Sequence, residues 1–291
     1  MRLLRARIST KIVGTLYLVA TPIGNLEDIS ARALRTLSQA SLIAAEDTRQ
    51  TRKLLRRYNI STPLTSYYEH NKLSKLEDIL AALEQGDVAL VSDAGTPALN
   101  DPGFELVRAA LAAGHEVSPI PGPSAPLAAL VASGLPTDAF LYMGYLPRKA
   151  GERRRSLAEV AAQPYTLIFL ETPHRLPAAL QDLHSILGDR QVCVARELTK
   201  LHEEIFRGTL SEAIAHFTVH PPRGEFTLVI AGSRPAGVRW PEEQLRAALN
   251  ERLASGDSPS HIASQVAEKS GWPRRDVYRI LTELAGKGLE P

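Results

Sequence analysis

The feature that most constrains this chain is the regular alternation of short apolar runs with segments of helical period. Thr15–Ala20, Ser41–Ala45, Val88–Ser92 and His115–Ile120 read as strands. Between them Ser30–Gln39, Ser74–Gln85 and a segment opening at Asp101 or Pro102 and running to Ala113 read as helices. Gly114 follows the last of these, the usual position for a residue that ends a helix. Strand and helix in turn imply an α/β layer with a mostly parallel sheet, because parallel neighbours need a crossover between them.

Past the breaker cluster Pro119-Ile120-Pro121-Gly122-Pro123 the pattern changes. Helices are expected over Ser124–Ala132, Glu152–Ala162, Leu176–Leu187 and Ser211–Phe217. Strands are expected over Phe140–Tyr145, Tyr165–Glu171, Gln191–Ala195, Glu203–Arg207 and Glu225–Ala231. Strands now follow one another directly, which points to a mixed sheet. Ser233–Gly237 reads as a linker, and Pro241–Ala254, Ser258–Lys269 and Pro273–Ala285 read as three helices with no strand between them. The expected division is an α/β domain over 12–122, a second over 123–236, and a helical, helix-turn-helix-like tail over 237–291.

Composition narrows the chemistry. The 34 Lys+Arg against 32 Asp+Glu leave a net charge of +2, so no global positive field argues for nucleic acid. A single cysteine, Cys193, excludes a disulfide framework and any multi-cysteine zinc or iron–sulfur site, and the eight scattered histidines show no ligand spacing, so no metal is expected. Arg2, Arg5, Arg7 and Lys11 ahead of Ile12–Ala20 imitate a secretory signal. That run carries Gly14, Thr15 and Tyr17 and passes into Thr21–Asn25 with no cleavage pattern, so it reads as a first buried strand and the protein as cytoplasmic, with no membrane partner.

Five loops at strand ends combine Gly or Pro with polar residues, and in α/β sheets ligands bind at the carboxyl ends of the strands. Thr21–Ile29 lacks both the dinucleotide glycine spacing and the P-loop lysine. Glu46-Asp47-Thr48-Arg49 is either a reactive cluster or a helix start capped by Asp47 or Thr48. Ser92–Gly103 is far longer than the ~2 to 6 residues such a connection needs, which favours a small-residue loop that approaches a ligand. Pro121–Ala125 offers backbone N–H groups and a hydroxyl at a helix start. Glu171–Arg175 and Arg196–Lys200 with Glu203 are either a solvated rim or a pocket for a phosphate-bearing substrate.

In this order the loops resemble one family. Leu16–Asp28, Ala44–Arg49, Val91–Pro97, Asn100–Gly103, Pro121–Ala125, Glu171–Arg175, Ala195–Lys200 and Gly224-Glu225 are similar to the motifs of the tetrapyrrole methylase superfamily, and within it to the branch that methylates small-subunit ribosomal RNA. The resemblance covers about Leu16 to Ile230. It implies two α/β domains with S-adenosyl-L-methionine in the cleft between them, and 2'-O-methylation of a cytidine ribose in the decoding region of 16S rRNA in the 30S subunit by a homodimer. It also implies cofactor contacts at Pro22, Asp93, Thr96, Ser124, Ala125, Phe169 and Leu170. Where the superfamily usually reads Gly-Asp-Pro, this chain reads Ser92-Asp93-Ala94, and Pro22 and Asn25 stand where glycines are common. The departure in the first loop favours an RNA enzyme over a porphyrinoid one.

A ribose hydroxyl is a weak nucleophile, so a base or a polarising cation is expected beside it. Glu46, Asp47, Arg49, Glu197 and Lys200 are the catalytic candidates, with Glu46 and Lys200 nearest the proton transfer and Arg49 an anion holder. His174, Arg175, Arg196 and, in the tail, Arg274 and Arg275 are the candidates for holding RNA phosphate. Two other readings stay open: a DNA-binding regulator built on the helix-turn-helix-like tail, and a porphyrinoid C-methyltransferase using the same cleft.

Overall fold

A computed structural model describes residues 14–233, 240–253 and 257–287. The basic stretch Arg2–Lys11 and most of the expected linker lie outside the described residues. The first half holds β1 (Thr15–Val19), α1 (Ala31–Gln39), β2 (Leu42–Ala45), α2 (Thr48–Arg57), β3 (Leu64–Ser66), α3 (Leu76–Leu83), β4 (Val88–Val91), α4 (Phe104–Ala112) and β5 (Glu116–Ile120). Their sheet runs β3-β2-β4-β1-β5 with every pair parallel. Strand β4 is buried at all four positions, as a central parallel strand covered on both faces must be.

Two elements carry no readable period, although the Asp47–Thr48 cap already marks where the first of them starts. Helix α2 reads TRQTRKLLRR, and only Thr51, Leu54 and Leu55 are buried, a stripe of three too thin to register as a helical period. Strand β3 has three residues at the sheet edge.

The second half holds α5 (Ala125–Ser133), β6 (Phe140–Tyr145), α6 (Ala150–Val160), β7 (Thr166–Glu171), α7 (Leu176–Leu187), β8 (Gln191–Arg196), β9 (Glu204–Thr209), α8 (Leu210–Val219) and β10 (Phe226–Ile230). The sheet order is β6-β7-β10-β8-β9, with β6 parallel to β7 and the other pairs antiparallel, so the sheet is mixed as expected. Strand alternation splits its side chains between two cores. Leu167, Phe169, Val194 and Leu228 pack under α6, α7 and α8, while Ile168, Cys193, Ala195 and Val229 face Ala129 and Leu130 of α5. Both sheets belong to one compact unit, residues up to Ala231 less 162–164.

The remaining described residues form a second unit, with α9 (Glu242–Leu253), α10 (Pro259–Ser270) and α11 (Arg274–Lys287). Leu245, Leu249, Ile262, Val266, Val277 and Ile280 give it a core of its own. Gly271 leaves α10 in the left-handed region and α11 begins three residues later, the geometry of a helix-turn-helix.

Candidate active site

With all first-half strands parallel, the loops that leave β1, β2, β4 and β5 gather at one edge. Strand β4 lies between β1 and β2, so its loop reaches both neighbours. On one side Thr21 N–H donates to the Gly95 carbonyl at 2.8 Å, and Gly95 N–H returns to Thr21 at 2.9 Å. On the other, Asp93 N–H donates to Glu46 Oε2 at 3.2 Å and Asp47 N–H donates to Asp93 Oδ1 at 3.0 Å. Two carboxylates thus satisfy loop N–H groups beyond the reach of the strand ladder.

These loops and the second sheet enclose a cavity of about 240 Å³. Its acidic wall is Glu46, Asp93 and Asp101, and the second sheet contributes Tyr142, Tyr145, Leu170 and Leu198. Ser124 and Ala125, at the start of α5, open onto it. The Ser124 hydroxyl makes no capping bond, so the first turn presents a hydroxyl and N–H groups the helix cannot satisfy itself.

Burial dominates the acid–base character of the wall. It pushes the Glu46 carboxyl up, against the Asp93 N–H and with the charges of Asp93 and Asp47. It raises Asp93 as well. Asp101 is pushed up to about 6 by burial, helped by the charge of Glu46 and opposed by the nearby Ser92 hydroxyl. Tyr142 is pushed up to about 12, again chiefly by burial. Asp47 moves the other way, held at about 2 by hydrogen bonds from the Arg49 side chain and backbone.

Of the residues expected to hold a cofactor, Asp93, Thr96, Ser124, Ala125 and Leu170 line the cavity. The Phe169 side chain lies in the core beneath α6–α8 instead, because neighbours on a strand point to opposite faces and Leu170 takes the α5 side. Pro22 is half-buried in the β1 loop and is not part of the cavity lining. Of the catalytic candidates Glu46 alone lines it. Arg49 Nη2 sits 2.8 Å from Asp47 Oδ2, and Asp47 is also the N-cap of α2, so the capped-helix reading of that motif describes the structure.

Glu197 and Lys200 build a clasp. Lys200 Nζ lies 2.8 Å from Glu197 Oε1 and 3.0 Å from Glu225 Oε2. Burial opposes its charge, but the two carboxylates hold its pKa above the ordinary value. The lysine stem presses on Gly24, where a Cβ would fall 2.4 Å from Lys200 Cγ, and Asn25 N–H donates to Thr199 Oγ1 at 3.1 Å. Glu197 and Thr199 both adopt positive φ to make this turn. The loop after β8 is thereby fastened to the loop after β1.

The phosphate candidates divide. Arg196 donates to the Arg223 carbonyl at 2.7 Å and to Glu204 Oε2 at 3.0 Å. Arg175 donates to the Leu146 carbonyl and stands 3.3 Å from Glu171 Oε1. His174 is exposed, as are Arg274 and Arg275 in the helical unit, where Arg274 reaches Ser260. Tyr142 and Tyr145 line the cavity unannounced by any motif, while Glu225 and Asp101 fall within motifs but do not read as site residues. Asp101 sat inside the long loop and had a signal; the tyrosines looked like ordinary strand residues.

Two sheets with a cavity at the gathered strand ends define a methylase of the tetrapyrrole type, and the family model for Tetrapyrrole (Corrin/Porphyrin) Methylases matches residues 15–214. A crystal structure of uroporphyrin-III C-methyltransferase from Thermus thermophilus complexed with S-adenosylhomocysteine has a TM-score of 0.52 and 21% identity, covering 74% of this chain and 97% of its own. A Synechocystis sp. protein named ribosomal RNA small subunit methyltransferase I is 50% identical over 279 residues, 95% of this chain and 100% of its own. A Thermotoga maritima protein of the same name is 48% identical over 221 residues, 76% of this chain and 99% of its own. The chain belongs to the ribosomal RNA small subunit methyltransferase I family of the tetrapyrrole methylases.

Proposed function

We propose that this protein transfers a methyl group from S-adenosylmethionine to small-subunit ribosomal RNA, and that the acceptor is the 2'-hydroxyl of a cytidine in the decoding region of 16S rRNA, presented on the 30S subunit. The observation that carries the reading is the 50% identity over the whole length of a relative named for that RNA. The porphyrinoid enzyme shares the fold at 21% identity, which speaks for the architecture alone.

The cavity suits the donor. The α5 N-terminus, with its uncapped Ser124, is built to receive a carboxylate, and the side formed by Leu170, Ala195 and Leu198 accepts a flat apolar ring. Glu46 and Asp93 on the acidic wall attract a positively charged donor centre. When bound, S-adenosylmethionine supplies a methyl already activated by its sulfonium. The chain's task is then to align the acceptor oxygen, exclude water and accept a proton. The clasp through Lys200 and Gly24 contributes by fixing the loops of the two sheets against each other. The exposed Arg49, 84% accessible at its side chain, stands beside the acidic wall as a candidate phosphate contact. Arg274 and Arg275 are carried as further RNA contacts, and a homodimer is the expected state.

The test is transfer of labelled methyl from S-adenosylmethionine to purified 30S subunits, followed by mapping of the labelled nucleotide and its ribose. Label at a cytidine 2'-oxygen supports the reading. Label on a porphyrinoid substrate with none on 30S subunits overturns it.

A further inference from the structure

The loop between β4 and α4 is held in an unusual backbone path. Ala98 and Asn100 have φ of +66° and +67°, and Gly103 has +154°. Non-glycine residues persist in the left-handed region only where their surroundings over-determine them, and they cluster at functional sites. The surroundings here are visible. The Asn100 side chain lies directly over Gly144 of β6, where an added Cβ would fall 2.2 Å from Asn100 Nδ2. A Cβ on Gly103 would fall 2.8 Å from Ala98 Cβ and 2.9 Å from Leu90 Cδ2. The loop from the first sheet is therefore pinned on the bulge of β6 in the second, where the register with β7 slips between Tyr142 and Gly144. Asp101, next to the pinned asparagine, is delivered into the cavity.

The three acids of that wall are not equivalent. Glu46 and Asp93 each accept a backbone N–H from the neighbouring loop, which ties them to the structure. Among the described residues no such backbone N–H reaches Asp101, and the nearby Ser92 hydroxyl donates to the Ala94 carbonyl at 3.4 Å. The groups that face Asp101 are Glu46 from the β2 loop, Ser92 and Asp93 from the β4 loop, and the phenols of Tyr142 and Tyr145 from β6.

We propose that Asp101 is the general base that takes the proton of the acceptor hydroxyl, with Glu46 and Asp93 as positioning residues that shape its wall. The inference rests on the reading of the acceptor as a ribose hydroxyl. The hydroxyl oxygen bonds to the methyl carbon as the carbon–sulfur bond breaks, its electron pair returns to sulfur, and the hydroxyl proton passes to the Asp101 carboxylate. Burial makes this carboxylate more basic than an ordinary one while leaving it ionised at neutral pH, the compromise a carboxylate base needs.

The test is single-turnover methylation of 30S subunits by the parent, Asp101→Asn and Asp101→Glu from pH 5 to 9, with S-adenosylmethionine and S-adenosylhomocysteine affinities by calorimetry and a thermal melt of each protein. Asp101→Asn should slow transfer at pH 7.5 by at least about a hundredfold, with both affinities within about twofold of the parent. The parent rate should rise through a midpoint near pH 6 and level off, Asp101→Asn should lose that limb, and Asp101→Glu should retain it at a reduced rate. An Asp101→Asn rate within about threefold of the parent, or an unchanged pH limb, overturns the assignment while leaving the substrate reading intact. Loss of S-adenosylmethionine affinity that accounts for the whole rate loss, with S-adenosylhomocysteine affinity kept, also overturns it and makes Asp101 a partner of the sulfonium. A parent that labels no 16S rRNA overturns the substrate reading and the base assignment with it.

Discussion

Replacing Gly144 by alanine tests whether the clamp between the β4 loop and β6 is as tight as its geometry says. Gly144 lies at φ +65°, and a Cβ there would stand 2.2 Å from Asn100 Nδ2, 2.8 Å from Oδ1 and 2.9 Å from Cγ. The left-handed backbone costs an alanine about 1–2 kcal/mol relative to glycine. All three terminal atoms of Asn100 must also move, and this overpacking adds about 1 kcal/mol. Gly144→Ala should therefore be destabilised by about 2–3 kcal/mol, which lowers the melting temperature of a body this size by roughly 5–10 °C. Because Asn100 and Asp101 line the cavity, S-adenosylhomocysteine should also bind at least about fivefold more weakly by calorimetry, close to 1 kcal/mol. The double variant Gly144→Ala/Asn100→Gly removes the obstructing side chain and gives position 100 a residue suited to its φ, so it should recover about 1 kcal/mol of the loss. A Gly144→Ala protein that melts within about 1 °C of the parent and binds as well would refute the clamp.

Other outcomes follow from single contacts. Asp101→Asn should melt higher than the parent at pH 7.5: a carboxyl raised to about 6 disfavours the folded state once ionised, by about 3 kcal/mol unscreened and about 1–2 kcal/mol after allowing for solvent at the cavity. The gain should shrink as pH falls through 6 and vanish below about 4, where both states hold the proton. Asp182→Asn should cost about 3–5 kcal/mol, because Arg153, 7% exposed and 2.6 Å away, would keep a buried charge without its partner. Burial opposes the Asp182 charge, but Arg154 and Arg153 depress its pKa overall; its contribution is present above the ordinary carboxylate value and is lost as pH falls through the lowered one, so parent and variant melts should converge in acid. Ala125→Phe should abolish calorimetric binding of S-adenosylhomocysteine with little change in melting, since position 125 lines the cavity. Ending the chain at residue 233 should preserve that binding, because the cavity residues all precede it and the helical unit has its own core; the shortened protein should show a shallower salt dependence of 30S binding if Arg274 and Arg275 contact phosphate.

Much of this protein is legible in one dimension because its rules are local. Period-two and period-3.6 patterning, with Gly114 closing a helix, places the principal strands and helices and distinguishes a parallel first sheet from a mixed second one. The strand-end loops could be found because parallel strands must all discharge their chain at the same edge. The misses were of another kind. Helix α2 hid because three buried side chains among ten residues carry too weak a period, and β3 because three edge residues carry almost none.

Which residues meet was decided by the tertiary structure. The order β3-β2-β4-β1-β5 seats Asp93 between Glu46 and Thr21, an adjacency that strand order alone creates. Phe169 and Leu170 differ by one residue and occupy opposite faces, so a motif that names both cannot say which touches the cavity. Lys200 reads in the sequence as a candidate for the proton transfer, but the fold places Glu197 and Glu225 on its amine and Gly24 beneath its stem. Asp101 reads as one polar residue among many in a turn, until Asn100 is pressed onto Gly144 of the second sheet and carries it into the cavity wall. Periodicity is a property of neighbours along the chain, whereas burial, charge pairing and reactivity depend on neighbours in space, and those are set by long-range packing.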